Sequence, residues 1–293
     1  MQEGQRCVGI LGLGLIGGSF ARAYHAAGWR VLALDTDADT LAIAMIDTVD
    51  GRLDTPDLAD CDLVILAAYP AACVDWLESH APALGELGET GPLVMDAAGV
   101  KKGLCERCFE LARTHGFSFC GAHPMAGTEQ SGYARSSAEL FMGAPMVLVP
   151  PALPDPALLD MLDRAHTLLS PVGFGSFATA TPEDHDRVIA FTSQLAHVVS
   201  NAYVKSPTAQ GHHGFSAGSY RDLTRVAHLN ADMWTELMID NADCLGTELD
   251  YIIGSLSAYR DALDSRDETR LHELLAEGDR IKRALDDTPA ARR

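Results

Sequence analysis

The sequence lacks a long hydrophobic run and an excess of positive charge. No uninterrupted apolar stretch approaches the roughly 18 residues that would span a bilayer, and residues 1–9 lack the apolar core of a secretion signal. Lys and Arg number 22 against 41 Asp and Glu, a formal net charge of −19. This charge repels nucleic acid and anionic membrane surfaces, so neither is an expected partner.

A disulfide-type or metal-type cysteine pattern is also missing. The seven cysteines are an odd number spread over the whole chain, which fits a reducing compartment and predicts a cytoplasmic protein. Cys105-x-x-Cys108 followed by Cys120-x-x-His123 imitates zinc-ligand spacing. Because Cys105 and Cys108 fall in a stretch that favours a continuous helix, we expect no metal there. If zinc were bound, His123 would be a ligand and could not act as a base.

What is present is typical of a globular protein with about two domains, since 47% of its 293 residues are hydrophobic and 22% are charged. Up to about residue 180, near-continuous apolar runs alternate with helical patterns, as in a doubly wound, mostly parallel sheet of the Rossmann type. Strands are predicted at 7–11, 30–34, 62–68, 92–97, 117–120, 146–149 and 173–178, and helices at 16–27, 37–46, 70–80, 101–115 and 155–170.

The first strand runs into a glycine motif. Gly12, Gly14 and Gly17 match G-x-G-x-x-G between a strand and a helix, the context in which this motif binds a dinucleotide; the alternative is a glycine-rich turn without a ligand. Asp35 ends the second strand, where a carboxylate accepts hydrogen bonds from ribose hydroxyls and repels a 2′-phosphate, so NAD is predicted over NADP. The predicted cofactor-binding residues are Gly12, Leu13, Gly14, Leu15, Ile16, Gly17, Asp35, Ala68 and Ala98.

From Thr181 the pattern becomes helical. Thr181-Pro182-Glu183-Asp184 is typical of a helix start, and helices are predicted at 182–205, 216–229, 231–265 and 267–286. We therefore expect a domain at 1–180 that binds NAD and an all-helical domain at 181–293 that binds substrate and, by analogy of architecture, forms a homodimer. His212 and His213 are expected to be solvated loop residues.

The segment at 121–132, GAHPMAGTEQSG, has the composition of a shaped polar loop. Its glycines permit close backbone approaches, and Pro124 stiffens the chain directly after His123. A structural loop needs turn residues, but it does not need an imidazole beside a fixed turn and a carboxylate six residues on. A functional histidine is therefore favoured over a purely structural loop.

Several motifs occur in the order found in one enzyme family. They are GLGLIGGS at 12–19, DAAGVKK at 96–102, GAHPMAGTEQSG at 121–132, LFMGAPMVLVP at 140–150, HDRVIAFTSQLAH at 185–197 and SYRDLTRVA at 219–227. With them the chain resembles the prephenate dehydrogenase family, which includes arogenate and cyclohexadienyl dehydrogenases, essentially from end to end. The resemblance implies NAD-dependent oxidative decarboxylation of prephenate, a small-molecule substrate, to 4-hydroxyphenylpyruvate in tyrosine biosynthesis.

The resemblance also implies roles for individual residues. His123 matches the base that hydrogen-bonds the C4 hydroxyl of the substrate, and Arg225 matches an arginine that binds a substrate carboxylate. His185 and Asp186 belong to a family motif at a helix start and are expected to be structural caps. The other implied substrate-site residues are Thr128, Ser193 and His197 as polar positions, Glu129 as an acid that pairs with the site arginine, and Trp234 as an aromatic that closes the pocket or packs in the core.

One position departs from the family pattern. Many relatives carry serine in D-x-x-S-V-K, near the histidine, where this chain has Gly99. The departure leaves open an analogue such as 4-amino-4-deoxyprephenate as the substrate. Arogenate also stays open, since the keto and amino side chains of the two substrates differ at one polar contact. An NAD-binding sensor without catalysis is a third hypothesis, but a sensor needs neither the base His123 nor the clamp Arg225.

Overall fold

The computed structural model describes residues 4–128, 130–211, 214–215 and 217–287. Glu129, His212 and His213, on which expectations were placed, lie outside the described residues. Eight strands form one sheet in the order β3-β2-β1-β4-β5-β6-β7-β8. The strands are β1 (Cys7–Leu11), β2 (Arg30–Leu34), β3 (Gly51–Arg52), β4 (Leu63–Leu66), β5 (Leu93–Asp96), β6 (Ser118–Pro124), β7 (Pro145–Val149) and β8 (Ser176–Thr179).

All neighbouring strands are parallel except β6 and β7, which run antiparallel. The predicted fold class, a mostly parallel doubly wound sheet followed by helices, is confirmed. The helices are α1 (Leu15–Ala26), α2 (Ala38–Asp47), α3 (Pro70–Leu87), α4 (Lys102–His115), α5 (Asp155–Leu169), α6 (Pro182–Ile189), α7 (Ala196–Tyr203), α8 (Gly218–Thr224), α9 (Ala231–Asp240), α10 (Ala242–Asp264) and α11 (Glu268–Asp286).

Apolar layers cover both faces of the sheet. Along β1, Val8 and Ile10 join one buried cluster, and Cys7 and Leu11 join the other, because successive side chains of a strand point to opposite faces. Helix α1 supplies Phe20 to the first cluster, and the second includes residues of α3 and α4. Burial on both faces explains why these strands are apolar without alternation.

The structure corrects the prediction of a loop at 121–132. Residues up to Pro124 belong to β6, where His123 pairs with Val147 of the antiparallel strand β7. Gly121 is required by packing, since a Cβ there would lie 2.6 Å from Cys105 Sγ of α4. His123 is therefore held by a strand, which positions it more firmly than a loop would.

Two predicted helices are interrupted. The helix predicted at 182–205 contains a π-helical turn at residues 190–195, between α6 and α7. The helix predicted at 231–265 breaks at Asn241, whose amide donates to Asp186 O (2.9 Å) and Gln194 Oε1 (2.8 Å). The short strand β3 was not predicted.

Contacts divide the chain into one compact unit that extends to Asn241 and another that begins at Ala242. The first contains the whole sheet and α1 to α9. In the second, α10 and α11 contact each other, and the Tyr259 hydroxyl donates to the Leu274 carbonyl (3.2 Å). None of the helices in the described ranges combines the length and the apolar character that a membrane-spanning helix needs.

Candidate functional site

The glycine turn between β1 and α1 has the shape of a phosphate site. Gly12 has φ +86°, and a Cβ there would lie 2.7 Å from Ala67 O. At Gly17 a Cβ would lie 1.9 Å from Gly12 O, whereas at Gly14 it would meet no heavy atom within 4 Å. The turn is thus tight, the helix packs closely on it, and the space beside Gly14 is open for a ligand. Because α1 carries neither a capping side chain nor an acid at its start, its N–H groups and dipole favour an anion.

Asp35 stands at the end of β2, beside this turn. Its carboxylate accepts hydrogen bonds from Leu13 N (2.6 Å) and Asp37 N (2.8 Å). Asp37 and Asp39 follow within four residues, so this segment carries three acids, whose charge would repel a ribose 2′-phosphate. The residues present fit NAD and disfavour NADP.

The remaining predicted cofactor residues lie at the same edge of the sheet. Leu11 pairs with Leu66 and Leu66 pairs with Asp96, so the chain leaves β1, β4 and β5 side by side. Ala68 and Ala98 follow the last two of these strands. Leu13 has a buried side chain, and Leu15 and Ile16 are half-buried at the start of α1. Ligands of doubly wound sheets bind at this carboxyl edge.

His123 is directed to that edge by β6. Met95 pairs with Cys120, so His123 lies three residues further along the strand, level with the segment that follows β5. Its Nδ1 lies 2.9 Å from Nε2 of His185, and the two rings are 5.1 Å apart between centroids. Among the described residues, no hydrogen bond is made by Nε2 of His123, which leaves that nitrogen available to a ligand.

The environment keeps His123 uncharged. Burial, the positive charge of Lys101 and the neighbouring His185 together hold the pKa of His123 well below its usual value near 6.5. The ring is only partly exposed, so the protein around it replaces water that would stabilise an imidazolium. A neutral imidazole at neutral pH can accept a proton.

Beneath His123 lies a buried ion pair that sequence reasoning missed. Lys101 and Asp96 contact through Nζ and Oδ2, and both side chains are 0% exposed. Asp96 Oδ1 accepts from the N–H of Ala122 (3.1 Å), and its Oδ2 accepts from the N–H of Ala98 (2.9 Å). The pair therefore fixes the backbone on both sides of the candidate site. The sequence signal that could have predicted this pair is an acid and a lysine, five residues apart, within a segment that is otherwise mostly apolar.

The sequence also did not predict the hydrogen bonds of His185 and Asp186. Asp186 caps α4 and not the helix on which it stands, because its two oxygens accept from Lys101 N and Lys102 N, each at 2.8 Å, whereas Thr181 caps α6. In addition, Asp186 Oδ1 lies 2.7 Å from Nδ1 of His185. Asp186, His185 and His123 thus form a continuous hydrogen-bonded series.

A second cluster lies in the helical region. Nδ1 of His197 contacts the Ser193 carbonyl (2.8 Å), and the His197 ring packs on Trp234 with centroids 4.2 Å apart. Ser193 belongs to the π-helical turn, a local distortion that is frequent at functional sites. Three of the predicted substrate residues are therefore brought together.

The other predicted residues are more exposed. Thr128 contacts the backbone of Gln130 (3.3 Å), and Arg225 follows α8 as an exposed residue. A Cβ at Gly99 would meet only the Leu237 methyl groups, at 3.5 and 3.6 Å. A serine at position 99 therefore fits the space without displacement.

The cysteines have a structural explanation. Cys105 and Cys108 are buried inside α4, where burial raises the pKa of both thiols. Within the described ranges, no three Cys, His, Asp or Glu side chains come together as a metal site.

Comparison with known proteins identifies a nucleotide-binding domain that includes most of the sheet and a second domain that follows it. Residues 20–173 match the family "Prephenate dehydrogenase, nucleotide-binding domain", and residues 181–277 match "Prephenate dehydrogenase, dimerization domain". The cyclohexadienyl dehydrogenase of Zymomonas mobilis is 32% identical over 95% of each chain.

Two solved structures extend the likeness to the fold. Synechocystis arogenate dehydrogenase is 28% identical with a TM-score of 0.74, over 94% of this chain and 99% of that chain. Prephenate dehydrogenase from Aquifex aeolicus, solved with hydroxyphenyl propionate and NAD+, is 26% identical with a TM-score of 0.76, over 98% and 100%. Because both family domains match in order and the Zymomonas mobilis relative covers 95% of the chain, the protein belongs to the prephenate dehydrogenase family, a family of oxidoreductases.

Proposed function

We propose that this chain oxidatively decarboxylates prephenate to 4-hydroxyphenylpyruvate, with NAD as the acceptor. The observation that carries the proposal is His123, a neutral imidazole whose Nε2 is available at the carboxyl edge of the sheet, where the cofactor residues also lie. The family match supplies the reaction class. Together they support His123 as the base that accepts the hydroxyl proton of a cyclohexadienol.

His123 accepts the proton of the C4 hydroxyl at Nε2. NAD held at the glycine turn and Asp35 would supply the acceptor for the hydride that leaves C4. The ring carboxylate then leaves as carbon dioxide, and its bonding electrons make the ring aromatic, which drives the reaction; the proton held by His123 returns to the phenolate oxygen. The chain's contribution is to orient the hydroxyl and to keep the base neutral until the proton arrives.

The anionic groups of the substrate need a cation near the site. We assign a carboxylate of prephenate to Arg225, because a guanidinium binds a carboxylate through two parallel hydrogen bonds. Ser193, His197 and Trp234 supply polar and aromatic contacts from one cluster. Thr128 and Glu129 complete the proposed site, the latter outside the described residues.

NAD is assigned to the glycine turn on the geometry of the turn and the acids around Asp35. The nucleotide-binding family match and the NAD+ bound in the Aquifex aeolicus relative support the assignment. We also propose a homodimer through residues 181–293, which the dimerization-domain match over 181–277 supports, and a domain boundary near residue 180.

Arogenate is the second candidate substrate, favoured by the likeness to the Synechocystis arogenate dehydrogenase. The two substrates differ only in a keto or amino group on the side chain. The amino-deoxy analogue differs instead at C4, beside Gly99, where a family serine would stand.

The test is NADH absorbance with purified protein, NAD and each of prephenate, arogenate and 4-amino-4-deoxyprephenate. We expect the largest kcat/KM with prephenate. A larger value with either analogue would reassign the substrate within the same reaction class, whereas no NADH with any of the three would contradict an enzymatic role. Parallel titrations should show tighter binding of NAD than of NADP.

A further inference from the structure

His123 is one end of a hydrogen-bonded series that continues away from the open site. Nδ1 of His123 lies 2.9 Å from Nε2 of His185, and Nδ1 of His185 lies 2.7 Å from Oδ1 of Asp186. His185 and Asp186 are 3% and 2% exposed. The series therefore runs from a partly exposed ring into the interior.

The chemistry of these groups restricts where the protons can be. A carboxylate only accepts, so Nδ1 of His185 carries a hydrogen and donates to Asp186. In a neutral imidazole the other nitrogen is then an acceptor, so Nε2 of His185 takes a hydrogen bond from Nδ1–H of His123. The remaining nitrogen, Nε2 of His123, is left with its lone pair. With both rings neutral, no other arrangement satisfies every bond.

The far end of the series is rigid. Asp186 is held by the N–H groups of Lys101 and Lys102, each at 2.8 Å, and its backbone carbonyl accepts from Asn241 (2.9 Å). Capping α4 requires only the carboxylate. It does not require the preceding residue to be a histidine that bridges to His123, so the cap alone leaves His185 unexplained.

We infer that His185 and Asp186 are positioning residues that hold the proton of His123 on Nδ1 and thereby keep Nε2 as the atom that accepts the substrate proton. The tautomer is a property of the free protein, whereas its catalytic consequence rests on the proposed function. When His123 takes a proton at Nε2, the new positive charge faces a series that ends in the carboxylate of Asp186. The arrangement of acid, orienting group and base follows the logic of a catalytic triad.

The direct test is NMR of protein labelled with ¹⁵N at histidine, in which long-range ¹H–¹⁵N correlations show which ring nitrogen carries a hydrogen. His123→Asn identifies the His123 signals. We expect Nδ1 of His123 to be protonated and Nε2 to be bare at neutral pH. The reverse pattern, with His185 protonated on both nitrogens and donating to His123, would overturn the inference.

Two substitutions at His185 separate orientation from packing. His185→Gln retains an amide oxygen that can accept from Nδ1 of His123, and we expect it to keep the His123 tautomer and most of the kcat. His185→Phe removes the acceptor, so the proton redistributes to Nε2 and kcat falls by about 10² while KM changes little, within the range of a lost general base. If His185→Phe keeps both the tautomer and the kcat, the inference is wrong.

Asp186→Asn tests the other end. The amide either keeps its oxygen toward Nδ1 of His185 or turns its NH2 group toward that nitrogen and reverses the tautomer, and in both cases the charge behind the protonated base is lost, so kcat should fall by at least tenfold. An unchanged kcat would remove Asp186 from the role. His25→Asn, on the exposed end of α1, is the matched control and should change neither readout.

These results are distinguishable from a failure of the proposed function. If wild-type protein forms no NADH with prephenate, the NMR spectra still decide the tautomer. If His185→Phe does not fold, the wild-type spectrum together with His185→Gln decides it: loss of the Nδ1 proton in the glutamine variant, where an acceptor remains, would contradict the assignment.

Discussion

Replacing Lys101 by methionine isolates the contribution of the buried ion pair. The substitution keeps the apolar stem and removes the ammonium, which contacts Asp96 and donates to Ala98 O (2.8 Å) and Val100 O (3.3 Å). Asp96 is then left as a carboxylate that is 0% exposed. Breaking a buried pair at one partner costs about 3–5 kcal/mol, because the other charge remains without compensation.

The lower part of that range applies here, since Asp96 keeps the N–H groups of Ala98 and Ala122. We expect a loss of about 3 kcal/mol in the free energy of unfolding, which corresponds to a fall in Tm of roughly 6–12 °C for a domain of this size. Urea denaturation followed by circular dichroism measures the first quantity, and a thermal melt measures the second.

A double variant and a surface control sharpen the result. Lys101→Met combined with Asp96→Asn removes both charges and should recover at least about 1 kcal/mol of the loss. Arg107→Met breaks an exposed pair with Glu78 and should cost much less than Lys101→Met, because solvent screens exposed charges. A Lys101→Met protein that loses no more stability than the control, or a double variant as unstable as the single one, would show that the buried pair does not contribute as described.

Three further predictions concern the site. The acid limb of kcat/KM should lie below pH 6.5, because the pKa of His123 is lowered, and a limb at or above pH 7 would contradict this. The free energy of unfolding should also decrease as the pH is lowered below about 6.5, because the histidine binds a proton more readily in the unfolded than in the native protein. Arg225→Ala should raise KM for prephenate by roughly 10- to 100-fold with a smaller effect on kcat, while Arg107→Ala leaves both unchanged; an unaltered KM places the carboxylate elsewhere. Gly17→Ala puts a Cβ 1.9 Å from Gly12 O and should abolish NAD binding in calorimetry, so wild-type affinity in a folded variant would refute the packing argument.

The cofactor half of the protein is predictable from sequence because its signals are local. An apolar strand, three glycines, a helix and an acid fall within residues 7–35, and each constrains the backbone through its nearest neighbours. The strand bounds at β1 and β2 were predicted to the residue. β4 and β5 are shorter than predicted at both ends, and at their carboxyl ends the residues left out belong to the ligand edge.

Elements that depend on distant partners were missed. β6 continues to Pro124 because β7 pairs with it, and glycines suggested a loop when only local propensity was considered. The break at Asn241 depends on its bonds to Asp186 and Gln194, which lie 55 and 47 residues away. No periodicity in the sequence contains that information.

In the candidate site too, the residues themselves could be predicted from the sequence, whereas their distant partners could not. His123 was identified from its own segment and from the family motifs, but its contact with His185 joins residues 62 apart. The cap that Asp186 provides to Lys101 joins residues 85 apart. Sequence motifs indicate which residues matter, whereas hydrogen-bond partners that orient them emerge only when β6, α4 and α6 are brought together.

The central claim is that His123 acts as the base in NAD-dependent decarboxylation of prephenate. One experiment measures NADH by absorbance and 4-hydroxyphenylpyruvate by chromatography in the same reaction, for the wild type, His123→Asn and the control His25→Asn. The account predicts equal amounts of both products from the wild type and the control, and a kcat lowered by about 10²–10⁴ in His123→Asn with little change in KM. A loss of less than tenfold in a folded His123→Asn protein would contradict it.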